Sequence, residues 1–249
     1  MPELVYPPVI AAAKTMFRVL DLRLTIEGTH HVPRSGGAVL ASNHVSYLDF
    51  IFCGYGAQES RRLVRFMAKH EVFAHKISGP LMRGMRHIPV DRRAGAGSYS
   101  SAVGALRRGE VIGVFPEATI SRSLTVKELK SGAARMAQEA GVPLLPVAIW
   151  GTQRLWTKGR PKTLTRRHTP ITILIGDPMD PSGYPDANTM TVDLKKRLTA
   201  LVDRAQQEYP DKPAGPEDAW WQPAHLGGTA PTLEEALELD RRARRTSAS

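Results

Sequence analysis

The sequence predicts an α/β fold, a single domain with a central mixed, largely parallel sheet flanked by helices. Three observations predict it. Continuous apolar runs, "VIGVF" (111–115), "PLLPVAIW" (143–150) and "ITILIG" (171–176), read as strands buried on both faces, the pattern of a covered parallel sheet. Segments of helical spacing such as "GAARMAQEAG" (132–141) fall between them with short connections. With 249 residues, 42% of them hydrophobic, the chain can bury one sizeable core.

The elements follow in order. Pro7 and Pro8 precede Val9, Ala13, Met16, Phe17 and Leu20 at helical spacing, with Lys14 and Arg18 on the other face. This amphipathic basic helix, within residues 1–21, either docks on the protein's own core or lies in a bilayer interface. Residues 22–26 and, after the turn signal "SGG", 38–42 read as strands. A helix over 47–55, a strand near Phe66, a helix over 73–82 and a strand at "RHIPV" (86–90) come next. "YSSAVGALRRGE" (99–110) reads as a helix with a glycine stop, and residues 188–208 form the last helix of a domain placed at 22–209. Residues 210–249 begin as a Pro/Gly-rich strap. Trp220 and Trp221 are too costly to leave in water, so the strap packs back on the domain. Thr232-x-x-Glu235 then caps a terminal helix with acids first and bases last.

Composition narrows the partners. No apolar run reaches the roughly 18 residues of a membrane span, and no basic segment, long apolar core and cleavage site mark a secretory leader. The expected location is therefore the cytoplasmic side of the membrane, peripheral or monotopic. Cys53, the single cysteine, excludes an internal disulfide and a cysteine-based zinc site, and reads as buried packing. A net charge of +10 calls for an anionic partner. Nine Lys and Arg residues lie between Arg61 and Arg93, interleaved with Phe66, Met67, Phe73, Leu81 and Met82, a mixture suited to an anionic membrane surface or an anionic amphiphile. No helix-turn-helix, RNP or zinc-finger pattern accompanies the charge, so no nucleic-acid partner is expected.

Two stretches carry chemistry. In "SNHVSYLDFIF" (42–52), Ser46-x-x-Asp49 has the spacing of a capping box, which accounts for Asp49 without catalysis. The same geometry points the Asp49 carboxylate back toward His44, where it would fix the imidazole tautomer and leave the other nitrogen free as a general base. The free N–H groups of the helix start would favour an anion. A metal site is disfavoured, because the segment has no H-x3-H, second histidine or carboxylate cluster. Ser46 is disfavoured as a nucleophile because G-x-S-x-G is absent, and His30-His31 lacks a following Asp-Gly and reads as a loop. The second stretch, "VFPEATISRS" (114–123), leaves a buried strand into a polar loop, where α/β sheets place ligands. Glu117 could accept from a substrate hydroxyl, and Thr119, Ser121 and Arg122 could bind phosphate or a polarised oxygen.

These segments carry a resemblance. "NHVSYLD" resembles the NHxSxxD motif of the PlsC-type acyltransferases, which act on 1-acyl-sn-glycerol 3-phosphate or glycerol 3-phosphate, and "FPEATIS" is similar to their FPEGTRS motif. "AKHEVF" with Lys69, "HIPVDR" with Arg92 and the proline-bearing "VPLLPVAIWG" match further motifs in the family's order, so the resemblance runs over about 38–151. It implies that His44, oriented by Asp49, deprotonates a hydroxyl that attacks an acyl thioester of CoA or acyl carrier protein directly, without an acyl-enzyme. It also implies that Lys69, Arg92 and the loop of Glu117, Thr119, Ser121 and Arg122 bind the acceptor, Lys69 and Arg92 at its phosphate. No cofactor or metal is implied. The chain departs from the pattern at Ala118, a glycine in the family, and at Ile120, an arginine there, with Arg122 two residues on as compensation. Lysophosphatidate or glycerol 3-phosphate is the acceptor first expected. The alternatives are another lyso-lipid or lipid-linked acceptor, or a non-catalytic lipid-binding member of the fold.

Overall fold

The computed structural model describes residues 3–90 and 95–246. Seven strands form one sheet in the order β1-β7-β6-β2-β5-β3-β4. They are β1 (Arg23–Glu27), β2 (Ala38–Ser42), β3 (Val64–Lys69), β4 (Ile88–Val90), β5 (Val111–Val114), β6 (Leu144–Trp150) and β7 (Pro170–Ile175). Every neighbouring pair is parallel except β6 and β7, so the sheet is mixed and largely parallel. Its central strands β2, β5, β6 and β7 are buried at every residue, as their unbroken apolar runs require.

Alternate residues feed two layers. Ala38 and Leu40 face a cluster with Phe17 of α1 (Tyr6–Val19) and with Phe52 and Cys53 of α2 (Asp49–Gly56). Val39 and Ala41 face the opposite cluster, built with α5 (Gly95–Arg107), α6 (Gly132–Ala140) and the start of α7 (Ala187–Gln207). Asp186 caps α7 by accepting from the Asn188 and Thr189 amides, and Gly141 ends α6 at φ +65.

The apolar face of α1 docks on the protein itself. Phe17 stacks on Phe52 at 4.8 Å, the buried Tyr6 donates to the Val64 carbonyl, and Lys14 lies over the Tyr55 ring. Leu4 and Val19 stay exposed near its two ends. The helix expected over 73–82 is two shorter ones, α3 (His70–Ala74) and α4 (Ser78–Gly84), separated by an extended His75. At Gly79 a Cβ would come within 2.3 Å of the Phe73 carbonyl, so only glycine permits this approach, and Ser78 and Arg83 hold the two pieces by donating to the Val72 and Phe73 carbonyls. The strap packs back as expected. Trp221 is 2% exposed under the Arg154 guanidinium, and Trp220 lies beneath Arg160. The terminal helix α8 (Leu233–Thr246) starts with the expected Thr232–Glu235 box.

Candidate functional site

β2 lies between β6 and β5, and all three run parallel, so three loops leave the same end of the sheet together. Residues 43–48 occupy the middle, with 115–131 after β5 on one side and 151–157 after β6 on the other. Gly151 makes the exit from β6 possible, because at φ +97 its missing Cβ would fall 2.1 Å from the Pro170 carbonyl oxygen.

The middle loop is held by side chains. Asn43 exchanges two hydrogen bonds with the backbone of Ile149, donating at 3.0 Å and accepting at 2.7 Å, and so continues the sheet through its amide. The His44 amide donates to Glu117 Oε1 at 2.9 Å, and the His44 carbonyl accepts from the Ser121 amide at 2.7 Å. Its ring stacks on Phe115 with centroids 4.2 Å apart. His44 Nδ1 lies 2.9 Å from Asp49 Oδ2; the imidazole is 20% exposed and the carboxylate fully buried.

Asp49 is saturated. Oδ2 also accepts from the Val45 and Ser46 amides at 2.7 and 2.8 Å, and Oδ1 accepts from the Thr152 hydroxyl at 2.6 Å. A carboxylate in this setting offers His44 only an acceptor, so in the neutral ring Nδ1 carries the proton and the lone pair lies on Nε2. The capping reading and the orienting reading thus describe one side chain. Ser46 Oγ accepts from the Leu48 amide and donates to the Trp156 carbonyl at 2.7 Å, while regular helix begins only at Asp49. The amides of the turn that leads into this helix are taken up inside the protein rather than left for an anion. Those of residues 44–49 go, in order, to Glu117, Asp49, Asp49, the Trp156 carbonyl, Ser46 Oγ and the Ser46 carbonyl.

The loop after β5 is a scaffold as much as a surface. Glu117 is buried, and its second oxygen accepts from the Lys127 amide, so both oxygens hold backbone rather than facing an open hydroxyl site. Burial pushes its carboxyl up to about 7, against the opposing pull of those amides and of Lys127. Thr119 accepts from Lys127 Nζ through hydroxyl and carbonyl, and the fully buried Ser121 hydroxyl donates to the Thr125 carbonyl. Arg122 Nε lies 3.2 Å from Asp240 of α8. Ala118 holds φ +62, the left-handed conformation that suits glycine, and Ile120 is buried. Lys69 is exposed at the end of β3, opposite Val90 in the register with β4. Arg92, two residues beyond Val90, lies outside the described residues.

Sequence reasoning gathered His44, Asp49, Glu117 and Ser121, which the fold brings together. It missed Asn43, Thr152, Trp156, Thr157 and Lys127. Asn43 stood in the quoted stretch and was passed over; Thr152 follows by two residues the strand that "PLLPVAIW" announces. Among the described residues no three His, Cys, Asp or Glu side chains converge to hold a metal ion. No described helix is long and apolar enough to cross a membrane. An apolar cleft between α1, α2 and β3, lined by Ile10, Phe50, Ile51 and Phe66 among others, adjoins the site through Phe66, whose ring lies 6.1 Å from that of Phe115.

A profile of the Acyltransferase family matches residues 23–150. The chain is 29% identical over 195 residues to a 1-acyl-sn-glycerol-3-phosphate acyltransferase of Bacillus subtilis, covering 76% of this chain and 88% of that one. It is 25% identical to the corresponding protein of Borreliella burgdorferi, covering 59% of each chain. The crystal structure of the 1-acyl-sn-glycerophosphate (LPA) acyltransferase PlsC of Thermotoga maritima superposes with a TM-score of 0.71 at 25% identity, covering 82% of this chain and 81% of that one.

Proposed function

The chain belongs to the Acyltransferase family, and on that premise we propose that it transfers a fatty-acyl group from a thioester of CoA or acyl carrier protein to the free hydroxyl of lysophosphatidate. The observation that carries this reading is the His44–Asp49 pair, with Nδ1 bound at 2.9 Å to a buried carboxylate whose other bonds are all made.

In the proposed reaction Nε2 of His44 takes the proton of the acceptor hydroxyl as its oxygen attacks the thioester carbonyl. The tetrahedral intermediate collapses with cleavage of the C–S bond, and the departing sulfur receives the proton from Nε2, which restores the starting tautomer. Asp49 stabilises the transient imidazolium without leaving its four donors. No protein nucleophile is needed, in keeping with Ser46, whose hydroxyl is engaged by the Trp156 carbonyl and the Leu48 amide. Phe115 gives the ring a flat apolar face, and the cleft beyond Phe66 offers an acyl chain an apolar path.

Lys69 and Arg92 are assigned to the acceptor's phosphate. Lys69 stands at the site end of the sheet, and Val90, which leads toward Arg92, is its partner in register. Glu117, Thr119 and Ser121 are assigned to holding the loop, and Arg122 would have to give up Asp240 to reach a phosphate. Exposed Val72, Ile77 and Leu81 on and between α3 and α4, beside the exposed Lys69 and Lys76, form the surface assigned to an anionic membrane. Buried Ile120 and engaged Arg122 favour a second reading, an acceptor without phosphate. A panel of lysophosphatidate, glycerol 3-phosphate and a lyso-lipid lacking phosphate, with one acyl-CoA, separates the readings. Preference for lysophosphatidate supports the first, equal use of the phosphate-free acceptor supports the second, and no thiol release with any acceptor overturns both.

A further inference from the structure

The terminal helix α8 lies beyond the residues that the family profile matches, yet one of its side chains reaches the candidate site. Asp240 is 6% exposed, and its Oδ1 accepts from Lys158 Nζ at 2.6 Å and from Arg122 Nε at 3.2 Å. These cations belong to the two loops that hold residues 44–47. Arg122 follows Ser121, whose amide donates to the His44 carbonyl at 2.7 Å. Lys158 follows Trp156 and Thr157. The Trp156 carbonyl accepts from the Ser46 hydroxyl and the Tyr47 amide, and the Thr157 hydroxyl donates to the Val45 carbonyl at 2.6 Å. The loops also touch directly, since a Cβ on Gly159 would fall 2.5 Å from Arg122 Nη1.

We propose that Asp240 is a positioning residue for His44, clamping the loop after β5 to the loop after β6 so that the turn between them holds the imidazole in place. The proposal rests on the reading of His44 as the general base. Electrostatics gives the clamp its force. Arg122 and Lys158 are only 18% and 25% exposed, so without the carboxylate they would repel in a poorly solvated space and part the loops. Burial alone would raise the Asp240 carboxyl, and its bonds to Lys158 and Arg122 overcome this and hold it below the ordinary aspartate value. The clamp acts on the turn rather than on a substrate, so its loss falls on the chemical step.

The test uses the full chain with acyl-CoA and lysophosphatidate. Asp240→Asn keeps the shape and removes the charge; kcat is expected to fall roughly tenfold or more, with KM for both substrates within about threefold, since a small misplacement of a catalytic group is costly. Asp240→Asn with Lys158→Met removes the repulsion as well and is expected to regain about threefold of that loss. A readout independent of turnover is the His44 Nδ1–H proton resonance, sharp in the parent chain and broadened or lost in Asp240→Asn. Should that variant not fold, Arg122→Gln opens the clamp from the other side and must show the same selective loss of kcat. An active parent chain whose Asp240→Asn variant keeps kcat within twofold and an unchanged His44 resonance overturns the clamp. A lowered KM at unchanged kcat also overturns it, by showing that Asp240 competes with a substrate anion. A parent chain that transfers nothing overturns the reading of the function, while the resonance still decides the clamp.

Discussion

Asp49→Asn separates the charge of Asp49 from its geometry. Three donors, Nδ1 of His44 and the amides of Val45 and Ser46, converge on Oδ2 at 2.7–2.9 Å, and the Thr152 hydroxyl alone donates to Oδ1. The backbone amides cannot turn away, so an asparagine must put its oxygen toward them and its NH2 toward Thr152, whose hydroxyl can rotate to accept. The amide oxygen then still accepts from Nδ1 of His44, and the productive tautomer survives. What is lost is the charge facing the imidazolium of the transition state. A hydrogen bond to a charged group is worth about 1.5–3 kcal/mol and a neutral one about 0.5–1.5, so the expected cost, the difference between the two, is about 1.3 kcal/mol. That corresponds to roughly a tenfold fall in kcat. The assay is thiol release from acyl-CoA with lysophosphatidate, with thermal unfolding as the control for folding. A variant within twofold of the parent would refute the role of the Asp49 charge in stabilising the imidazolium. A loss as deep as that of His44→Ala in a folded variant would refute the retained tautomer.

Further outcomes follow from the same contacts. Thr152→Val removes the one donor to Asp49 Oδ1 and leaves a buried carboxylate oxygen without a partner, a loss of about 1.5–3 kcal/mol of stability readable by urea unfolding. Ala118→Gly relieves a left-handed alanine that is exposed and loses no packing, so stability should rise by about 0.5–1 kcal/mol without loss of activity; an unchanged or lowered midpoint would contradict the strain. Glu117 ties stability to pH. Its folded carboxyl is raised from 4.5 to about 7, so between these values the unfolded chain loses the proton first. Stability should therefore fall by about 3 kcal/mol as pH rises through that window and level off above it. Denaturant titrations at pH 5 and pH 7.5 should show this slope in the parent and not in Glu117→Gln.

The fold was legible because its signals were long and redundant. The runs that became β5, β6 and β7 are short and rich in Val and Ile, which favours buried strands over helix, and β2 matched its expected residues 38–42. The break between α3 and α4 was masked by the apolar spacing from Phe73 to Met82, which continues across it; Gly79-Pro80 is its local signal, and the close approach of Gly79 to the Phe73 carbonyl is a tertiary fact. At the site, His44 and Asp49 were legible because a five-residue spacing across a capped turn is local. Thr152 reaches Asp49 from 103 residues away and Asp240 reaches Arg122 from 118, and no local pattern encodes such pairings. The acceptors that occupy the amides of the turn before the helix were hidden for a related reason, since they include Glu117 and Trp156 from distant loops.

The central claim is that the His44 imidazole is the base of acyl transfer. The most direct measurement is the single-turnover rate of thiol release from acyl-CoA, at saturating lysophosphatidate, for the parent chain and for His44→Ala of equal thermal stability. The rate is expected to fall roughly 10²–10⁴-fold, the span that a positioned general base supplies. A rate within a few-fold of the parent would contradict it.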